Sequence, residues 1–373
     1  MKARLMLALL GACLLLGPST GLARAGETAT TPQSPTRVVI LGTAAGRTSW
    51  RGLPVGGTST ALSIHGSVYV IDFGHGWEDR YFQAGLGAPL GKPEMAALQT
   101  MRAGFITHMH ADHVVDYPRL LLFGASDGLT LRKTPVQIYG PGRSIKDLAH
   151  SKAKPGSLVN PDNLAPGTVD MTQMLWRAFA SDINDNMIDS GMPPPQTYIQ
   201  PHDIAIPAEL NASPDNVTPP MKPILVYKDE NVTVTATLVD HRPMFPAFAY
   251  RFDTADGSVT ISGDTNKNDN LIALAKGSDI LVHEVLDKNW AINLFPAKRS
   301  PDQEAKLGHL LRAHTPTEDI GPIAQAAGVK MVVLTHFSPP NLPDKVWLDN
   351  IHGFDGVVKL GKPLMSIGLP LSK

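Results

Sequence analysis

The sequence predicts an α/β fold, and three observations carry that prediction. Short apolar or β-branched runs recur along the chain. Helix-like segments are interspersed with them. Four of the runs end in residues that bind metals: Ala103–Ile106 before His108, Val232–Val239 before Asp240-His241, Ser258–Ser262 before Gly263-Asp264, and Lys330–Thr335 before His336. In α/β proteins, sites form beyond the carboxyl ends of strands. The 373 residues suffice for one large α/β sandwich with insertions, or for two modest domains, and 43% of them are hydrophobic, enough for a sizeable core.

In chain order, residues 37–73 carry three strand-like runs. Trp77–Thr100 mixes helix with a Gly/Pro loop. Ala103–Ile106 reads as a buried strand, and Val114–Phe123 as a helix with Pro118 in its first turn. Val136–Gly140 is another strand. Residues 142–231 are rich in Pro, Asn and Asp and read as an insertion, either a packed surface segment or a wall of the substrate pocket. Within it, Met171–Asn186 has helical apolar spacing. Residues 245–252 and 258–262 form a hairpin around Asp253–Gly257. Lys267–Lys276 and Pro316–Ala327 read as helices, with Asn266 and Thr315 as expected caps.

The N-terminus has the pattern of a secretory signal. Lys2 and Arg4 supply charge, Leu5–Leu16 is apolar, and Ala23-Arg24-Ala25 is an A-x-A site with cleavage expected after Ala25. That places the mature protein in the periplasm or outside the cell, with no membrane span left after cleavage. A lipoprotein anchored at Cys13 is the alternative. Residues 26–36 read as a disordered lead-in to a domain covering 37–370. Cys13 is the sole cysteine, so any metal in the mature chain must rest on His and carboxylate ligands.

The densest chemistry is His108-Met109-His110-Ala111-Asp112-His113, three imidazoles and a carboxylate on one loop. An open catalytic zinc usually takes three protein ligands and a water. Four ligands on one loop instead suit two metals roughly 3.5–4 Å apart. His241, Asp264 and His336 supply the remaining ligand types.

In order, H-x-H-x-D-H, His241, Ser262-Gly263-Asp264-Thr265 and Thr335-His336 resemble the metallo-β-lactamase superfamily, and within it the ribonuclease Z and arylsulfatase-like branch. Leu41-Gly42-Thr43, Asp72-Phe73-Gly74, Leu281–Val285 and Ala313-His314-Thr315 are similar to further motifs of that branch. The resemblance covers residues 37–340. It implies an αββα sandwich, two mixed β-sheets flanked by helices. It also implies two zinc ions per chain, with manganese or iron as alternatives. His108, His110 and His241 would hold one ion, Asp112, His113 and His336 the other, and Asp264 would bridge them. A hydroxide between the metals would attack, with Asp112 among the catalytic groups. His314 would be the general acid, with Glu284 orienting it. Asp72 would brace the metal loop.

Two features depart from the branch. His241 and Asp264 are 23 positions apart, which leaves no room for a tRNA-binding arm, and Glu318 stands where an arginine is usual. Net charge is −1, with no basic run. The expected partner is therefore a small-molecule ester, with no specific nucleic acid, and a homodimer is left open. The expected function is an exported dinuclear hydrolase of phosphodiesters or sulfate esters. The alternative is a lactone or β-lactam hydrolase on the same metals.

Overall fold

Alternation of side chains along the strands builds two mixed seven-stranded sheets. The computed structural model describes residues 34–46, 50, 52–87, 94–144 and 156–371. The signal segment and all but the last three residues of the lead-in lie outside them. The first sheet contains β1 (Thr36–Gly42), β2 (Ser59–Ile64), β3 (Ser67–Ile71), β4 (Met101–Phe105), β5 (Val136–Pro141) and β6 (Ile199–Ile204). The second contains β7 (Ile224–Lys228), β8 (Val232–Leu238), β9 (Phe248–Thr254), β10 (Gly257–Ile261), β11 (Ile280–Leu286), β12 (Met331–Ser338) and β13 (Val357–Leu360). The last strand, β14 (Ser366–Leu369), returns to the first sheet beside β1. The orders are β14-β1-β2-β3-β4-β5-β6 and β13-β12-β11-β10-β9-β8-β7.

The helices are α1 (Trp77–Gln83), α2 (Ala111–Val114), α3 (Tyr117–Phe123), α4 (Thr168–Ala178), α5 (Ala180–Ser190), α6 (Asp269–Leu274), α7 (Lys288–Asn293), α8 (Pro301–Ala313), α9 (Thr317–Ala327) and α10 (Asp344–Leu348). Among the described residues, no helix is long and apolar enough to cross a membrane.

The period of two decides the layering. On β1, Val38 and Ile40 join the core between the sheets, while Val39 and Leu41 face outward under helices. On β12, Met331 and Val333 point inward, and Val332 and Leu334 pack outward with α9. Both faces are buried, so these strands read as continuous apolar runs. Phe105 of β4 meets Phe252 of β9 edge-on, centroids 5.2 Å apart, which locks one sheet onto the other.

The structure corrects several local expectations. The helix expected at 114–123 is two short ones, broken where Asp116 turns its carboxylate to the Gly76 N–H at 2.6 Å. The cap of α6 is Asn268, whose side chain accepts from the Leu271 N–H at 2.9 Å. Asn266 instead donates to the carbonyls of Leu311 and Arg312. Thr315 does not cap α9, whose N-cap is Pro316. Its hydroxyl donates to the Thr265 carbonyl at 2.6 Å. Met171–Asn186 is a helix pair, α4 and α5, meeting at Phe179. The 142–231 segment also supplies β6 and β7, the outer strands of the two sheets.

One buried charge gives a pH-dependent prediction. Glu78 of α1 has a fully buried side chain paired with Arg119 of α3. Burial raises its pKa from 4.5 to about 7, with Arg119 opposing. A folded value above the unfolded one stabilises the fold at low pH, and that contribution is lost as pH rises from 4.5 through 7. Relative to wild type, Glu78→Gln is expected to gain on the order of 2–3 kcal/mol between pH 4.5 and 8. Urea midpoints at the two pH values check this. A relative loss at pH 8 would mean that the Arg119 pair outweighs burial.

Candidate metal centre

The seven ligand-type residues converge between the carboxyl ends of both sheets. The loop after β4 brings His108, His110, Asp112 and His113 from the first sheet. The second sheet brings His241 after β8, Asp264 after β10 and His336 within β12. Cross-sheet bonds fix the loop. The Tyr250 hydroxyl donates to the Ile106 carbonyl at 2.7 Å, and the Phe248 N–H donates to the Thr107 carbonyl at 2.9 Å.

His336 reaches the site through an irregular strand. Thr335 pairs with Glu284 and Phe337 with Val285, so His336 has no partner on β11. Its φ is +45°. The extra residue re-aims the side chain, as a bulge does. Gly263, at φ +59°, makes the turn before Asp264; a Cβ there would lie 2.7 Å from the Phe248 carbonyl oxygen.

Three donor groups emerge among the described residues: Glu284, His314 and His336 make up one, and Asp264 belongs to both of the other two. His108, His110, His241 and Asp264 form one; Asp112, His113, His336 and Asp264 form the other. Within the first, the His110 Nδ1 lies 3.0 Å from His108 Nε2 and 2.9 Å from His241 Nε2. Asp264 Oδ2 is 3.8 Å and 3.7 Å from the same two Nε2 atoms. In the second, Asp264 Oδ1 is 3.3 Å from His113 Nε2, and Asp264 Oδ2 is 3.2 Å from His336 Nε2. His336 Nε2 is also 3.2 Å from Asp112 Oδ2. Ligands about 2.0–2.1 Å from a tetrahedral zinc stand about 3.3 Å apart, so these spacings fit a cation in each set.

The donor chemistry fits as well. Burial first, then neighbouring imidazoles, holds His108 well below its usual pKa. Burial holds His110 at about 4 and His241 at about 3. Burial thus favours the neutral form of these rings, the form that offers a lone pair. His113 Nε2 and Asp264 Oδ1 are buried atoms with no hydrogen-bond partner. A cation would satisfy both.

Outer contacts set the orientation of the rings. The His113 Nδ1–H donates to Asp72 at 2.8 Å, and the His241 Nδ1–H donates to the Ala313 carbonyl at 2.7 Å. Asp72 also accepts from the Thr107 N–H and hydroxyl, each at 2.8 Å. The Gly46 N–H donates to Asp112 at 2.7 Å.

His314 sits beside the donors, at the carboxyl end of α8. Its Nδ1 is 3.2 Å from Glu284 Oε2 and 3.9 Å from Asp264 Oδ2. Burial disfavours its charge, but Glu284 and Asp264 outweigh that and push its pKa up to about 9. Glu284 is fixed by the N–H groups of Thr265 at 3.1 Å and Thr315 at 3.0 Å.

A cavity of about 470 Å³ opens onto Asp112, Asp264, His314 and His336. Its other wall is Trp50, Trp290, Leu294, His309 and Leu310. Nothing in the sequence analysis pointed to this wall. Leu310 precedes His314 by one helical turn, a spacing that puts both on one face and was the available signal. His75 contacts Asp116 at 3.3 Å and is not among the cavity residues.

By sequence, the chain is 28% identical over 287 residues to a ribonuclease Z of Mycobacterium sp. (strain KMS), covering 77% of this chain and 80% of that one. It is 26% identical over 286 residues to the ribonuclease Z of Mycobacterium bovis (strain BCG / Pasteur 1173P2), covering 76% and 80%. By structure, it matches the metallo-β-lactamase fold protein YhfI from Bacillus subtilis at a TM-score of 0.53 and 16% identity, over 89% of this chain and 99% of that one. It matches the short form of human tRNase Z at a TM-score of 0.53 and 20% identity, over 90% and 100%. These matches give the chain the metallo-β-lactamase fold and support a place in that superfamily's ribonuclease Z-like branch. No family model matches it.

The ribonuclease Z relatives and the fold indicate a metal-dependent hydrolase. The relatives also overturn one expectation. A small-molecule ester with no specific nucleic acid conflicts with relatives named for acting on RNA. The physical reason lies in averaging: a net charge of −1 over the superfamily domain and its flanks conceals local excess. Residues 288–313 carry five basic side chains against two acidic ones.

Proposed function

We propose that the protein is a dinuclear zinc phosphodiesterase acting on RNA. The observation that carries this reading is Asp264, shared by two complete donor sets, with the His314–Glu284 pair opening onto the same cavity. His108, His110 and His241 would hold one zinc, Asp112, His113 and His336 the other, with Asp264 common to both. Divalent cations held there supply Lewis acidity to a phosphoryl oxygen and bring the pKa of water to about 7.

The chain's own groups do the rest. Asp72 holds His113 in the tautomer that leaves Nε2 as the donor. The Ala313 carbonyl does the same for His241. With Nδ1 of His314 on Glu284, Nε2 is the ring atom left to protonate the departing ribose oxygen. Glu284 stabilises the imidazolium before transfer, and two backbone N–H groups keep its carboxylate in place. The dedicated acid favours a phosphodiester over a β-lactam, because a poor alkoxide leaving group needs a proton.

Purified protein tested on bis(p-nitrophenyl) phosphate, a single-stranded oligoribonucleotide, a lactone and nitrocefin should turn over the first two. Metal analysis should give two equivalents per chain. Lactone or nitrocefin turnover without phosphodiesterase activity would overturn the reading.

A further inference from the structure

The site cavity does not end at the metal donors. A second cleft, about 710 Å³, adjoins it along α8 and is lined by Phe295, Asp302, Ala305, Lys306, His309 and Leu310. His309 and Leu310 belong to both hollows and form the ridge between them. The two hollows therefore lie side by side, with His314 lining one, Phe295 and Lys306 the other, and Leu310 between them.

The α7–α8 hairpin supplies Phe295, Lys306 and Leu310. Asp287 closes β11 and caps α7 by accepting from the Trp290 N–H at 2.6 Å. Glu284 lies on the same strand, three residues earlier. At the other end, α8 runs directly into His314. The hairpin is thus anchored at both ends by the acid and its partner. Trp290 and Phe295 are half-buried, each packing partly on the small cluster of Leu286, Ala291 and Leu307 while lining a hollow.

The surface is locally basic. The hairpin holds Lys288, Lys298, Arg299, Lys306 and Arg312 against Asp302 and Glu304. Lys288 faces Glu318 at 3.6 Å, and Arg299 faces Glu304 at 3.6 Å. Lys298 and Lys306 are exposed, and no ion pair engages either among the described residues. Aromatic platforms set beside exposed cations are the means by which proteins hold single-stranded nucleic acid, through base stacking and phosphate contacts. An apolar small molecule would have no use for the cations, and a duplex would keep its bases from the rings.

We infer that the α7–α8 hairpin is the surface that holds the single-stranded segment flanking the scissile phosphate, with Trp290 and Phe295 as stacking platforms and Lys298 and Lys306 as phosphate contacts. This rests on the RNA phosphodiesterase reading. It takes the place of a long arm, for which the short connection from His241 to Asp264 leaves no room.

The test measures anisotropy of a labelled single-stranded oligoribonucleotide bound to the metal-loaded full chain, across a salt series. KM and kcat on bis(p-nitrophenyl) phosphate, too small to span both hollows, are measured in parallel. Phe295→Ala should weaken RNA binding by at least about fivefold, the lower range for one stacked base. Lys298→Glu with Lys306→Glu should weaken it further and reduce the salt slope by about 1.4, the loss of two single-strand phosphate contacts. Neither variant should change kcat on the nitrophenyl diester. Unchanged RNA affinity in both variants, or equal affinity of the wild type for a duplex of the same length, would overturn the assignment. Wild-type protein that hydrolyses the nitrophenyl diester but does not bind RNA would also overturn it, while leaving the phosphodiester chemistry standing. Protein inactive on both would instead remove the phosphodiesterase reading itself.

Discussion

Replacing Asp264 with alanine is expected to remove at least one metal equivalent and lower kcat/KM on bis(p-nitrophenyl) phosphate by at least about 10³-fold. The carboxylate lies 3.2–3.3 Å from His336 and His113 and 3.7–3.8 Å from His241 and His108. No other residue belongs to both of the donor sets that share Asp264. Its charge also balances a cluster of imidazoles: burial opposes the anion, but His336 and His113 hold its pKa well below the usual range. Asp264→Asn separates charge from volume and should be nearly as damaging. Metal analysis after desalting, alongside kinetics, checks the expectation. Two retained equivalents in the alanine variant would remove Asp264 from the bridging role.

His314→Ala is expected to leave both metals in place and slow turnover by about 10²–10⁴-fold on an RNA dinucleotide, whose leaving group is a poor one. On bis(p-nitrophenyl) phosphate the loss should be much smaller, because nitrophenolate departs without a proton. The contrast between substrates is the diagnostic feature. If His314 only joins α8 to α9, the variant should lose stability and slow all substrates alike. Some loss of stability is expected in either case, since Glu284 is buried and would lose one of its partners, though two backbone donors remain.

The sandwich was legible because strands buried on both faces write themselves as unbroken apolar runs, as β1 and β12 do. The donor residues were legible because four of them crowd one loop, while His241 and Asp264 follow strand ends and His336 sits at the irregularity late in β12. Caps were less so. Asn266 and Asn268 are the same residue type two positions apart, and only the tertiary bonds of Asn266 to the end of α8 decide that Asn268 does the capping. The break between α2 and α3 was equally hidden, because it depends on Asp116 reaching Gly76, forty positions away. The cavity wall escaped for another reason. Trp290 and Leu310 have the spacing of ordinary packed residues, and only the path of α7 and α8 turns them toward the donors. The likeness to proteins named for acting on RNA ran against the expected small-molecule partner because whole-chain charge says nothing about where charge collects.

Four donors come from one sheet and three from the other, so the centre also acts as a clasp on the sandwich. Whatever binds it holds the two halves together, and binding free energy then becomes folding free energy. Ligand at 1,000 times its dissociation constant adds about 4.1 kcal/mol. Chelation should therefore do more than silence the enzyme. It should let the sheet edges part at the ends of β4 and β12, open backbone amides there to exchange, and make the protein's persistence in any compartment a measure of the free metal that compartment holds.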